Sequence, residues 1–172
     1  QIVNFALFPF RTYFQPNKNI RSIKKFDSSF DEFWAEAETQ WSCAVRRETK
    51  LLEWQYLHQP KKKFDVIGYY ENEKLLGYAV LFFRKAGANG TIKKVAITDI
   101  CYHPSKPKEV IDALLQESLR IAIERRVGGL VTDVIDDFIE ERLEKLGFWR
   151  VKNPLQLMVK SPERQDLLYN PK

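Results

Sequence analysis

TIKKVAITDICYHPSKPKEVIDALLQESLRIAIERRVGGLVTDVIDDFIEERLEKLGF, residues 91–148, decides the fold. Residues 91–102 are β-rich, with Ile97, Ile100 and Cys101 as their apolar positions. Residues 108–126 repeat apolar side chains at helical spacing, with Ile111, Leu114, Leu115, Leu119 and Ala122 on one face. Gly128-Gly129 ends that helix, and residues 130–135 form a second apolar strand. Asp136 and Asp137 open a shorter helix. Asp137 and Glu140 stand at capping-box spacing, and Gly147 falls where a glycine closes a helix. A strand, a crossover helix and a second strand make a βαβ unit, which predicts parallel pairing of the two strands.

Upstream of this unit the chain reads as antiparallel strands. Residues 64–70 alternate, Glu71-Asn72-Glu73-Lys74 is a hairpin loop, and residues 75–84 are apolar enough for a strand covered on both faces. Residues 86–90 turn the chain into residues 91–102. Earlier still, Ser29 and Glu32 have capping-box spacing, and Phe26, Phe30, Phe33, Trp34, Ala37 and Trp41 make a helical aromatic stripe. The stripe is core packing or one wall of an acceptor pocket. Residues 46–57 read as a second helix, ended before Pro60. Downstream, residues 148–151 and 155–159 predict a closing hairpin. Residues 1–19 read as a linker or the remnant of a preceding domain, residues 20–160 as the domain, and residues 161–172 as a polar tail.

A chain of 172 residues has room for one domain with a sizeable core. Its 44% hydrophobic and 30% charged residues mark a globular chain rather than a disordered one. The net charge of +5 suits an anionic small ligand. No dense basic helix occurs, so no nucleic-acid partner is expected. Cys43 and Cys101 are the only cysteines and have no metal or redox spacing, which fits a reduced, cytoplasmic protein. No stretch approaches the roughly 18 apolar residues of a membrane span. His58 and His103 stand alone, so no metal site is expected. No nucleophile elbow, P-loop or dinucleotide fingerprint is present.

The order of elements, with Leu143-Glu144-Lys145-Leu146-Gly147-Phe148 after the strand 130–135, resembles the core of the GNAT superfamily of N-acyltransferases. The likeness spans residues 20–160. It implies an α/β fold with a mixed sheet flanked by helices, and transfer of an acyl group from acetyl-CoA or another acyl-CoA to a small-molecule amine. A looser likeness runs from Arg47 through Leu52, Trp54 and Tyr56 to Pro60. It is similar to a pattern in GNAT-like domains of bacterial polysaccharide-biosynthesis proteins, and implies an acceptor on a sugar or cell-envelope precursor. The alternative is a GNAT-fold binding or dimerisation module without acyl-CoA chemistry, joined to a preceding domain or to a second copy.

The resemblance also implies where the co-substrate lies. The strand end and the loop after it would hold acyl-CoA through Ile100, Cys101, His103, Ser105, Lys106 and Lys108. A helix start offers free N–H groups to a phosphate, and the two lysines add charge. The small residues of the family loop fall here at Pro107, Glu109 and Ile111, so the usual glycines are missing. Amide formation needs a base for the ammonium proton and an acid for the leaving thiolate. Thr98 and Asp99 are the polar residues of the strand, and Asp99 is the candidate base or else a hydrogen-bonded strand-end carboxylate. Tyr102 and His103 are the alternatives at the strand end. The family tyrosine before the "GF" pair aligns with Leu143, so that acid is missing here, and Tyr102 stands beside Asp99 as the second candidate catalytic residue. Cys101 reads as core rather than nucleophile. Asp136 and Asp137 read as helix caps. Lys61-Lys62-Lys63 is a solvated run or a docking point for an anionic acceptor.

Overall fold

The computed structural model describes residues 2–6, 15–41, 44–60, 62–86, 92–134 and 136–152. The elements in chain order are β1 (Ile2–Ala6), β2 (Ile20–Ile23), α1 (Ser28–Ala37), α2 (Thr49–Leu52), β3 (Phe64–Glu71), β4 (Lys74–Ala86), β5 (Ile92–Tyr102), α3 (Pro107–Glu124), β6 (Gly129–Val134), α4 (Asp137–Lys145) and β7 (Trp149–Lys152). Among the described residues the strands form one sheet in the order β2-β3-β4-β5-β6-β1-β7. β2 to β5 are antiparallel neighbours, and β5 pairs with β6 in parallel, as the crossover through α3 requires.

Each face of the sheet carries helices. Val110, Ile111, Leu114, Leu115 and Leu119 of α3 and Ile139 and Leu143 of α4 share one core with Tyr69, Leu81, Val95 and Ile97. Phe26, Phe30, Phe33, Trp34 and Ala37 share the other with Leu52, Tyr56, Tyr78 and Cys101. The aromatic stripe is therefore core up to Ala37, while Trp41 is half-buried at its end. Packing is tight where α3 starts. A Cβ on Gly77 would stand 2.3 Å from Cγ1 of Val110 and 2.8 Å from the carbonyl of Cys101. Gly77→Ala is expected to lever the first turn of α3 off β4 and to destabilise the fold by about 2 kcal/mol, read by chemical denaturation. Unchanged stability would mean that this turn yields freely.

Several local expectations are corrected. α1 is capped by Asp27, whose carboxylate accepts from the Ser29 N–H at 3.0 Å, not by Ser29. The helix expected over residues 46–57 starts at Thr49, because the Thr49 N–H and hydroxyl are tied to Asp31 and to the Asp27 carbonyl. It then widens into a π turn over Glu53–Leu57, which buries Tyr56 and leaves Trp54 63% exposed. α3 ends at Glu124 rather than at the glycine pair. Arg126 takes the left-handed position, and the Val127 N–H reaches the Ala122 carbonyl. α4 is capped by Asp136 rather than Asp137, and it closes on Gly147 as expected, at φ +85°. Asn72 and Glu73 both have positive φ, the geometry of a two-residue hairpin turn.

The largest correction lies at the N-terminus. Ile2–Ala6, expected within a linker or remnant, is a strand of the sheet, antiparallel to both β6 and β7. The hairpin arm expected over residues 155–159, the tail 161–172, the turn at 87–90 and Cys43 lie outside the described residues.

Candidate functional site

The site begins with one extra residue. β4 and β5 pair in regular register as far as Val80 and Asp99, then resume at Leu81 and Ile97, so Thr98 is a bulge. A bulge moves every later side chain to the opposite face. Val95 and Ile97 lie under α3, and beyond the bulge Ile100 and Tyr102 take that face while Asp99 and Cys101 turn towards α1.

The parallel ladder stops at the same level. β5 and β6 are paired from Lys94 and Gly129 to Ile97 and Thr132, and no further. The Thr132 hydroxyl donates to the Ile97 carbonyl at 3.2 Å on the last rung. Beyond it the strands part. The His103 N–H donates to the Leu76 carbonyl at 2.8 Å, so alternation points the N–H and C=O groups of residues 99, 101 and 103 at β4. Those of Ile100 and Tyr102 point into the gap beside β6. The Tyr102 carbonyl accepts from Nε2 of Gln40 at 2.8 Å. Across the gap, the Tyr102 hydroxyl donates to the capping carboxylate of Asp136 at 3.0 Å. Burial, then the Asp136 charge, pushes the Tyr102 hydroxyl pKa up, so it stays protonated.

On the α1 face, Asp99 is the centre of a network. One carboxylate oxygen accepts from Nε and a terminal nitrogen of Arg47, both at 3.2 Å, and the other accepts from the Tyr78 hydroxyl at 2.8 Å. The Arg47 guanidinium also lies 5.4 Å from the Trp34 ring and 5.9 Å from that of Trp41. Those two rings are stacked 6.1 Å apart. Burial, the largest single influence, would lower the Arg47 pKa, but Asp99 together with the Tyr78 and Cys101 groups outweighs it and the net direction is up. Burial, then Asp99, raises the Tyr78 and Tyr56 hydroxyls. Burial pushes the Cys101 thiol up to about 12, which makes it a core group.

The loop before α3 departs from a plain phosphate cradle. His103 bridges Glu36 and Ser105, each at 2.8 Å, and the Ser105 N–H donates to its Nδ1 at 3.2 Å. A backbone N–H only donates, so Nδ1 accepts there and Nε2–H points at Glu36. Lys106 is paired with Glu71 at 2.6 Å, at the β3 side of the helix start. The Tyr69 hydroxyl donates to Glu109 at 2.8 Å and sits 3.1 Å from Glu71. Burial first pushes it up to about 12. Lys108 faces the other way. The Glu141 carboxyl on α4 is held low mainly by Lys145, and Lys108 adds to that field.

The fold thus brings Ile100 and Tyr102 to the gap, with Asp99 next to them in the chain but on the α1 face, and Lys108 on the α4 side of its mouth. Cys101 turns into the core, and His103, Ser105 and Lys106 are tied to one another or to α1 and β3. The sequence reading missed Arg47 and Tyr78 as partners of Asp99. They lie 52 and 21 residues away, and no local spacing marks them. Among the described residues no group of three or more metal-binding side chains occurs, and no helix is long and apolar enough to cross a membrane.

No family model matches the sequence, and no curated protein matches it either. Solved structures do. One is an aminoglycoside acetyltransferase from an uncultured soil metagenomic sample in complex with trehalose, with TM-score 0.61 and 11% identity over 83% of this chain and 95% of that one. A ribosomal-protein-alanine N-acetyltransferase from Brucella melitensis biovar Abortus 2308 has TM-score 0.57 and 14% identity over 83% and 96%. The aminoglycoside N-acetyltransferase AAC(6')-Iy in complex with CoA has TM-score 0.55 and 15% identity over 83% and 99%. At such identities the likeness is one of fold: the chain has the mixed α/β fold of the GNAT N-acetyltransferases.

Proposed function

We propose that the chain is an N-acyltransferase that moves an acetyl or other acyl group from acyl-CoA to an amine. The observation that carries this reading is the gap between β5 and β6. Among the described residues it leaves the backbone groups of Ile100 unpaired by any strand beside a helix N-terminus. An extended ligand bearing amides, such as the pantetheine arm of CoA, continues a ladder at such an edge. The gap passes through the sheet, so a thioester held in it is reached from both faces. Asp99, on the α1 face, takes the proton of the incoming ammonium. The nitrogen bonds to the thioester carbon, the carbon–sulfur bond breaks, and the second nitrogen proton passes to solvent, from which the Tyr102 hydroxyl is restored after it protonates the thiolate. Tyr102, on the α3 face, gives its proton to the thiolate. Lys108 holds the phosphates at the helix start, with Lys106, paired to Glu71, and Ser105 and His103 shaping the loop.

The acceptor we infer is an amine on a sugar or cell-envelope precursor. Support comes from the sequence pattern of Arg47 to Pro60, and from similar structures of aminoglycoside acetyltransferases, one of them in complex with trehalose. The reading implies a cytoplasmic protein, where acyl-CoA is made. A second reading rests on specific observations as well. Glu71 and Glu109 stand at the start of α3, and Tyr102 is already bonded across the gap to Asp136. Both fit a GNAT-fold module that binds without acyl-CoA chemistry.

Calorimetric titration of acetyl-CoA and free CoA into the purified chain separates the two. Micromolar binding is expected. No binding up to millimolar acetyl-CoA would overturn the enzyme reading in favour of the module.

A further inference from the structure

We propose that the end of the sheet opposite the gap is a docking surface for the phosphate backbone of a nucleic acid. The basis is where the fold puts five pairs of adjacent cations. Lys24-Lys25 follow β2, which leaves the sheet at Ile23 opposite Val66. Lys62-Lys63 precede β3. Arg84-Lys85 end β4 and Lys93-Lys94 begin β5. Arg125-Arg126 close α3, just before β6 begins at Gly129 opposite Lys94. All five pairs sit at one end, spread along consecutive strands from β2 to β6. They hold ten of the chain's 28 lysines and arginines.

One feature of this end opposes folding if it serves only as surface. Arg126 occupies the left-handed position of the turn that closes α3, at φ +51°, where glycine is the favoured residue. An anion laid along the row gives the arginine a role.

The row is held out as charge rather than as apolar surface. Lys24, Lys25, Lys62, Lys63, Arg125 and Arg126 are exposed. The aromatic rings beneath them are covered, Phe82 by Lys62 at 5.9 Å and Phe83 by Arg125 at 4.2 Å. Arg125 is also oriented by an ion pair with Asp65. Four interstrand steps make the row about 19 Å long. One strand of a nucleic acid carries a phosphate about every 3.4 Å of its axis, so about five phosphates fit along it. A line of charge with that spacing matches a phosphodiester backbone better than a lipid surface, which takes charge in a plane and apolar anchors beside it. The contacts reach phosphates and no base edge, so binding is expected to be independent of sequence.

This inference does not rest on the acyltransferase reading, since the row and the gap are at opposite ends of the sheet. The test is fluorescence anisotropy of labelled 20-mers with the full chain, using duplex RNA, duplex DNA and single-stranded RNA, from about 50 to about 200 mM salt. Binding is expected to weaken steeply, with a log–log slope of about −4 on a duplex. Lys24→Gln with Lys25→Gln, and Lys62→Gln with Lys63→Gln, should each weaken it several-fold and flatten the slope by about 2. Arg126→Gly is the sharper probe. It should raise the melting temperature while lowering affinity and flattening the slope by about 1. A purely structural role for Arg126 predicts the gain in stability with affinity unchanged. The proposal is overturned by no binding at about 50 mM salt, by affinities that ignore all three variants, or by tighter binding to phosphatidylserine vesicles than to any of the three oligonucleotides.

Discussion

Asp99→Asn is expected to lower acetyl-CoA turnover by about a thousandfold, the middle of the range for losing a general base. It is also expected to destabilise the fold by about 3 kcal/mol. The second effect follows from Arg47. Asp99 and Arg47 have side-chain exposures of only 11% and 21%, so the guanidinium left behind is a largely buried charge without its counter-charge. The two effects are separable. Arg47→Met added to Asp99→Asn removes the orphaned charge, and the long apolar side chain still covers Trp34 and Trp41. Denaturation should then show most of the lost stability restored. Turnover should stay low if Asp99 takes the ammonium proton. Should the double variant recover turnover along with stability, Asp99 is a strut of the network and the base lies elsewhere.

Lys108→Glu is expected to weaken acyl-CoA binding roughly thirtyfold, about 2 kcal/mol for reversing one exposed charge beside a phosphate. Lys106→Gln is expected to change it much less, because the Lys106 ammonium is already held by Glu71 at 2.6 Å. The lysine on the α4 side of the helix start keeps its field for a ligand in the gap, and the lysine on the β3 side spends it on a carboxylate. Lys106→Glu together with Lys108→Glu should abolish binding with the fold intact, as circular dichroism would confirm. Equal losses in the two single variants would mean that the Lys106–Glu71 pair opens for the phosphates. No loss in Lys108→Glu would remove the start of α3 as the phosphate site.

Much of the fold was legible because its signals are local. The helical period of Ile111, Leu114, Leu115 and Leu119 lies within nine residues, and it predicts α3 and the parallel pair that α3 connects. The Gly147 cap is one residue with one conformational reason. Errors arose where two local signals competed. Gly128-Gly129 looked like the end of α3, yet Val127 is needed in the core and pulls the turn two residues earlier, onto Arg126. Asp27 and Asp136 won their caps because each lies just outside the first turn, where its carboxylate meets the N–H two residues on.

The candidate site was half legible. Asp99 and Tyr102 could be named from their places on a strand before a helix. Their environments could not. Whether Asp99 faces α1 or α3 depends on one unpaired residue, Thr98, and nothing in the residue types around it announces a bulge. The place of Ile2–Ala6 was hidden for a related reason. A five-residue strand has little pattern of its own, and its partners Leu130 to Val134 and Trp149 to Lys152 are more than a hundred residues away.

By itself, then, the amino-acid sequence determined the order of strands and helices from α1 onward, the parallel crossover through α3 and the residue types around it, since each is encoded in periods and turns a few residues long. Only the tertiary structure decided what those residues face. The sheet order paired Asp99 with Arg47 and opened the gap beside Ile100. It also gathered five cation pairs, scattered from Lys24 to Arg126, onto one end of the molecule. A mild net charge of +5 had concealed them, because net charge sums over the whole chain while an electrostatic surface depends on which charges the fold sets side by side.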